Sequence, residues 1–136
     1  MKRLSVALFV IAVLALSASV ARAGVAAASP DGKRTASAKD KVITVTDNQT
    51  QKEVMSIRSH NADVTGLAYS PDGKMLGSSD KDGVVKLFDG ATGKEIRSIK
   101  SGVGGSLSFS PDGRNLAVSS GKQTKKYDVA TGKEVK

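Results

Sequence analysis

The chain has 136 residues, with 21 Lys+Arg against 13 Asp+Glu, a formal net charge of +8, no Cys and no Trp. That length holds about one domain, and the missing Cys excludes a disulfide framework, a Cys-bound zinc, an iron–sulfur cluster and thiol catalysis. Hydrophobic residues at 39% suffice for a modest core, so wholesale disorder is excluded as well.

In chain order, residues 1–23 come first and read as a secretory signal peptide that forms a helix ahead of the fold. Lys2 and Arg3 supply a positive start, Leu4–Leu16 is uncharged and mostly apolar, and Ala21-Arg22-Ala23 sets small residues where a signal peptidase cuts. Cleavage after Ala23 is expected, which places the mature chain in the periplasm or outside the cell. An uncleaved leader would instead hold it at a membrane. The leader takes three cations and no acid with it, so the remainder has 18 cations against 13 acids and a charge of +5. Arg114, Lys122, Lys125, Lys126, Lys133 and Lys136 crowd the last part, with only Asp128 and Glu134 against them. This reads as a solvated strand face. With no aromatic platform, and in an exported chain, nucleic acid is not an expected partner.

Beyond the leader the chain repeats itself. Ser-Pro-Asp-Gly occurs at Ser29–Gly32, Ser70–Gly73 and Ser110–Gly113, spaced 41 and 40 residues apart. Thr-Gly-Lys-Glu occurs at Thr92–Glu95 and Thr131–Glu134, with Thr50-Gln51-Lys52-Glu53 as a degenerate first copy. Two motifs holding one period mark a repeat array. Tyr69 and Phe109 stand just before Ser-Pro-Asp-Gly, and Phe88 and Tyr127 stand just before Asp89 and Asp128. The first copy has Ala28 and Thr46 there, so its core is expected to be the thinnest.

Each period resolves into four short strand-like runs. In the middle copy these are Val64–Tyr69, Lys74–Ser79, Val84–Phe88 and Lys94–Lys100, divided by Pro71-Asp72-Gly73, Asp82-Gly83 and Asp89–Gly93. No stretch past residue 24 sustains a helical stripe. Four antiparallel strands per repeat of about 40 residues make one propeller blade. The expected fold is all-β, three such blades at about 24–59, 60–100 and 101–136.

The middle copy resembles a WD40 repeat. His60 opens it, Val64–Gly73 follows, then Leu76, Ser78, Asp82, Val85–Asp89 and the closing Thr92-Gly93-Lys94. The flanking copies share Ser-Pro-Asp-Gly, the strand pattern and a terminal Asp (Asp47, Asp128), and the third is similar to repeats of exported bacterial propellers. The resemblance implies a buried hydrogen-bond chain through a His, a strand Ser, a turn Asp and a Trp. The matching positions are His60, Ser78, Asp82 and Phe88, and Phe88 has no N–H, so the chain stops short there. The outer copies lack it.

Chemistry finds little to hold. His60 is the only histidine, and its place in the repeat gives it a structural role. Asp80-Lys81-Asp82-Gly83 lacks the later ligands of a calcium loop, with Val85 and Ala91 at the positions that need Gly and an acid, and reads as a hairpin turn. Gly102-Val103-Gly104-Gly105 is followed by no Lys-Ser/Thr and reads as a flexible inter-blade loop rather than a phosphate loop. No enzyme, cofactor or metal site is expected. The expectation is a non-catalytic module that binds protein partners, with an exported propeller enzyme or cofactor protein as the alternative. Closed propellers need about 4–8 blades. Three blades are therefore expected to leave apolar faces open, to be covered by a homodimer completing a six-blade ring, by docking on another propeller, or by the rest of a longer chain.

Overall fold

A computed structural model describes residues 25–121 and 123–135. The signal segment, its helix and its cleavage point lie outside the described residues. Every regular element described is a strand: β1 Val25–Ala28, β2 Arg34–Lys39, β3 Val42–Asp47, β4 Glu53–Ile57, β5 Val64–Tyr69, β6 Met75–Asp80, β7 Val84–Asp89, β8 Glu95–Lys100, β9 Ser106–Phe109, β10 Asn115–Ser120, β11 Gln123–Asp128 and β12 Glu134–Val135. They form three separate four-stranded antiparallel sheets, each pairing its strands in sequence order. The first strands of successive sheets lie side by side, β1 against β5 and β5 against β9. The sheets are thus three blades of a partial propeller.

The repeated motifs are turn devices. In each Ser-Pro-Asp-Gly the Ser hydroxyl donates to the Asp carboxylate, at 2.7, 2.6 and 2.6 Å for Ser29–Asp31, Ser70–Asp72 and Ser110–Asp112. The same carboxylate accepts from the backbone N–H of Lys33, Lys74 or Arg114, two residues on. Ser Oγ in turn accepts from the N–H five residues on, at 3.0 Å in all three blades. One four-residue word therefore satisfies the backbone of a tight turn without help from outside it. The second motif works with the Asp that ends the third strand of each blade. Asp47, Asp89 and Asp128 accept from the N–H of Thr50, Thr92 and Thr131 at 2.9, 3.0 and 2.9 Å.

Strand alternation gives each blade two faces, and the pairing register aligns residues into rows across them. On the face toward the preceding blade, Tyr69, Leu76 and Phe88 form one row in blade 2, and Phe109, Leu116 and Tyr127 form the same row in blade 3. On the face toward the next blade, Ala38, Ile43 and Ile57 line up in blade 1, and Ser79, Val85 and Ile99 in blade 2. The apolar core is accordingly split into two clusters, one per seam. Ile43, Val45 and Ile57 of blade 1 meet Leu67, Leu76 and Phe88 of blade 2, and Val85, Leu87 and Ile99 of blade 2 meet Leu116, Val118 and Tyr127 of blade 3. No blade has a core of its own.

Two expectations need correction. The glycines of residues 102–105 do not form a free-running loop. Val103 is buried, and a Cβ on Gly104 would stand 2.6 Å from the Asp80 carbonyl, so the backbone packs directly onto the neighbouring hairpin. Ser101 pins the start of this segment by donating to the Gly83 carbonyl at 2.8 Å. Nor do the ends of the arc present bare apolar faces. Among the described residues the exposed large hydrophobics are Val54, Ile96 and Val135, one on the last strand of each blade, and single exposed residues of this kind are ordinary for a protein surface.

Candidate functional site

The structure places a Ser-His-Asp constellation at the seam between blades 1 and 2. His60, between β4 and β5, brings Nδ1 to 2.7 Å from Asp80 Oδ2 and Nε2 to 2.5 Å from Ser78 Oγ. With the carboxylate accepting, Nδ1 carries the hydrogen, and in the neutral ring Nε2 accepts from the Ser78 hydroxyl. Asp80 Oδ1 also accepts from the N–H groups of Asp82 and Val84, at 3.0 Å each. Three donors therefore hold a carboxylate that is 2% exposed, as burial of such a group demands. Phe88 closes the cluster, its ring T-shaped to His60 at a centroid distance of 6.4 Å.

The acid in this cluster is Asp80, not Asp82. Ser78 and Asp80 are two apart on β6, so alternation points both toward blade 1 and toward His60. Asp82 lies beyond the strand end, exposed at the hairpin tip, and contributes only its backbone N–H. The i, i+2 spacing from Ser78 was the sequence signal that could have identified Asp80.

His60, Ser78, Asp80 and Phe88 form a lock rather than an accessible centre. The His60 side chain is 0% exposed and Ser78 0%, so neither group reaches the surface in this arrangement. The outer blades use other polar anchors. In blade 1 the buried Thr35 hydroxyl donates to Asn48 Oδ1 at 2.8 Å, and Asn48 donates to the Gly32 carbonyl. In blade 3 Lys125 donates to the Ser101 carbonyl at 2.9 Å.

Among the described residues, one accessible feature is a rim cleft of about 510 Å³ where the Ser-Pro-Asp-Gly turns of blades 1 and 2 come together, and a second of about 500 Å³ lies between blades 2 and 3. Asp31, Arg34, Tyr69, Asp72 and Lys74 line the first, with the Asp89–Ala91 turn as its far wall. Arg34 spans the seam by donating to the Gly90 carbonyl at 3.2 Å. The Ser29 and Ser70 hydroxyls hold the Asp31 and Asp72 carboxyls below the usual range, so both are anionic at neutral pH. The Tyr69 hydroxyl is buried without a hydrogen-bond partner, and burial raises its pKa. The cleft joins an aromatic wall to charges of both signs, which suits contact with a polar peptide surface. Sequence reading missed it, because it exists only where two turns 41 residues apart meet.

Residues 51–89 match the family described as WD domain, G-beta repeat. The match runs from the last strand of blade 1 through the third strand of blade 2, so the sequence unit is offset from the structural blade by one strand. No curated protein matches the sequence. Among solved structures, a chain of Kuenenia stuttgartiensis hydrazine synthase superposes with a TM-score of 0.74 at 24% identity, over 82% of this chain and 34% of that one. The present chain spans about a third of that protein's length, and likeness at this identity carries the fold alone. In all, 1065 solved chains match, so the fold by itself does not choose among functions. The match and the blade geometry agree: residues 51–89 are similar to a WD40 repeat and are set in an all-β partial propeller.

Proposed function

We propose that this chain is a non-catalytic interaction module of an exported compartment, one that holds a protein partner at the rim cleft between blades 1 and 2. The WD40 repeat and the propeller fold support a protein-interaction type of propeller. The observation that carries the non-catalytic reading is the burial of Ser78 and His60, which turns the one Ser-His-Asp set into a fastening. Export rests on the leader at residues 1–23.

The test has two arms on the full chain expressed with its leader in a bacterium. A photo-crosslinking residue in place of Asp72, on the cleft rim, is expected to give a discrete adduct with a protein of the exported fraction, whereas one in place of Lys41, on the opposite end of the blade, gives none. A fluorophosphonate probe is expected to leave the folded protein unlabelled. Probe labelling that disappears in Ser78→Ala would replace the binding reading with a hydrolase, and equal crosslinking at both positions would remove the cleft as the contact.

A further inference from the structure

We infer that the cleft of about 500 Å³ between blades 2 and 3 is a second binding site, which takes an acidic peptide segment by seating an aliphatic side chain among Met75, Ile96 and Val129 and a neighbouring carboxylate against Arg97 and Arg114. This site presupposes that the chain is an interaction module, as proposed above, yet it shares no lining residue with the cleft between blades 1 and 2.

The two clefts stand at equivalent places in the repeat, and two replacements separate them. Arg34 and Met75 each lie five residues after the Ser of their turn, and Gly90 and Val129 each follow the Asp that ends a third strand. At the first seam Arg34 donates across to the Gly90 carbonyl. At the second seam both positions line the cleft as apolar groups, and methionine adapts its shape to what it meets. The outer strand adds a third apolar group. Leu87 pairs with Arg97 and Phe88 with Glu95, so Ile96 is the extra residue of a β-bulge and belongs to neither face row. Bulges re-aim side chains, and this one leaves Ile96 on the cleft wall at 52% exposure. Val54 holds the same bulge position in blade 1 but lines no part of the first cleft.

The cations set the sign of the occupant. Arg97 spends two nitrogens across the seam, on the Thr131 carbonyl at 3.0 Å and on the Ala130 carbonyl, while its Nε–H is buried without a partner. The guanidinium thus keeps one donor unspent, which is costly unless an acceptor meets it. Arg114, exposed on the same cleft, adds a second guanidinium. The carboxylate that lines the cleft with them is Asp128, and its Oδ1 already accepts from the Thr131 N–H. With 21 cations against 13 acids, the field of the whole chain also draws an anionic segment. Guanidinium groups bind carboxylates through paired N–H donors, and arginine and methionine are enriched where proteins meet.

Fluorescence anisotropy on the full chain tests this, with a labelled, end-blocked peptide Gly-Glu-Glu-Leu-Glu-Glu-Gly as the probe. Saturable binding is expected. It should weaken about tenfold or more on replacing the peptide's leucine by alanine, and likewise with Ile96→Ser or Arg114→Glu. Lys41→Glu, an equal charge change at the opposite end of the blade, and Asp72→Ala in the first cleft should each stay within about twofold. Positions 96 and 114 are exposed, so both variants should fold, and an unchanged melting temperature checks that they do. No saturable binding overturns the site. Equal binding of the alanine peptide, or an equal loss with Lys41→Glu, also overturns it, because net charge alone would then be read. A loss with Asp72→Ala and not with Ile96→Ser or Arg114→Glu moves the peptide to the first cleft, which overturns this site and leaves the module reading intact. Self-association of the wild type that Ile96→Ser dissolves makes a second copy the occupant and overturns the peptide.

Discussion

Replacing Asp80 by Ala removes a carboxylate that accepts three hydrogen bonds at 2% exposure. The two turn N–H groups sit at the hairpin tip, where water can take over. The bond to His60 Nδ1 has no such substitute, since the His60 side chain is 0% exposed. Hydrogen bonds to charged groups contribute about 1.5–3 kcal/mol, and a stranded buried donor costs about 1–3 kcal/mol. These overlap, so the expected loss is about 3 kcal/mol. At about 4 °C per kcal/mol for a domain of this size, the melting temperature should drop by about 12 °C. Asp82→Ala, two residues on, should stay within about 0.5 kcal/mol, a shift hard to separate from the wild type by calorimetry. Equal losses for the two variants, or a larger one for Asp82→Ala, would refute the assignment of the buried acid.

Three further outcomes are expected. Gly104→Ala places a methyl 2.6 Å from the Asp80 carbonyl and 3.1 Å from the Lys81 backbone, and should cost about 2–3 kcal/mol in a thermal melt; a neutral result would mean that residues 102–105 move freely. The turn carboxylates Asp31, Asp72 and Asp112, held low first by the Ser hydroxyl two residues before each, lend stability that is present above their ordinary value of 3.8 and lost as the pH falls through the lowered native values. Stability should thus be flat with respect to these groups at neutral pH and decline below about pH 4, and Ser70→Ala should shallow that decline. Processing should yield a mature chain beginning at Gly24 in the periplasmic fraction, which intact mass spectrometry reads directly; a membrane pellet retaining Met1 would make the leader an anchor.

Much of the fold was legible because the turns are written in local chemistry. Ser-Pro-Asp-Gly and the terminal Asp with Thr-Gly satisfy their own backbones, so the sequence positions strand ends to within a residue: Lys94–Lys100 is expected, and β8 runs Glu95–Lys100. What local chemistry does not specify is which of two nearby residues faces inward. Asp80 and Asp82 flank the same turn with the same side chain, and only the register of β6 against β5 and β7 sends one to His60 and the other to water. The packed Gly104-Gly105 backbone was illegible for a related reason. A glycine run reads alike whether it is free or pressed against a carbonyl, and the carbonyl concerned belongs to a hairpin some 24 residues earlier, by the numbering of Asp80 and Gly104. The rim cleft required two turns to be placed side by side, which periodicity alone does not do.

The split core explains why the family match is confined to residues 51–89. Blade 2 is packed on both faces: Leu76 and Phe88 belong to one seam, Val85 and Leu87 to the other. Along β7 successive residues therefore answer to different neighbours, and nearly every position carries a steric demand. Among the described residues, blades 1 and 3 are packed against another blade on one face only. Their other faces are free to hold Thr44 and Thr46 on β3, or Thr124 and Lys126 on β11, residues that weaken a WD40 pattern while keeping the surface wettable. The lock follows the same logic. A buried His-Ser-Asp set stabilises only where a neighbouring blade seals it from water, and in this chain the seam behind blade 2 supplies that seal for His60. Stability then resides at seams rather than in blades, as in other arrays whose repeats contact only their neighbours. Damage to blade 2 should release both clusters at once, whereas damage confined to blade 3 should leave the seam between blades 1 and 2 intact.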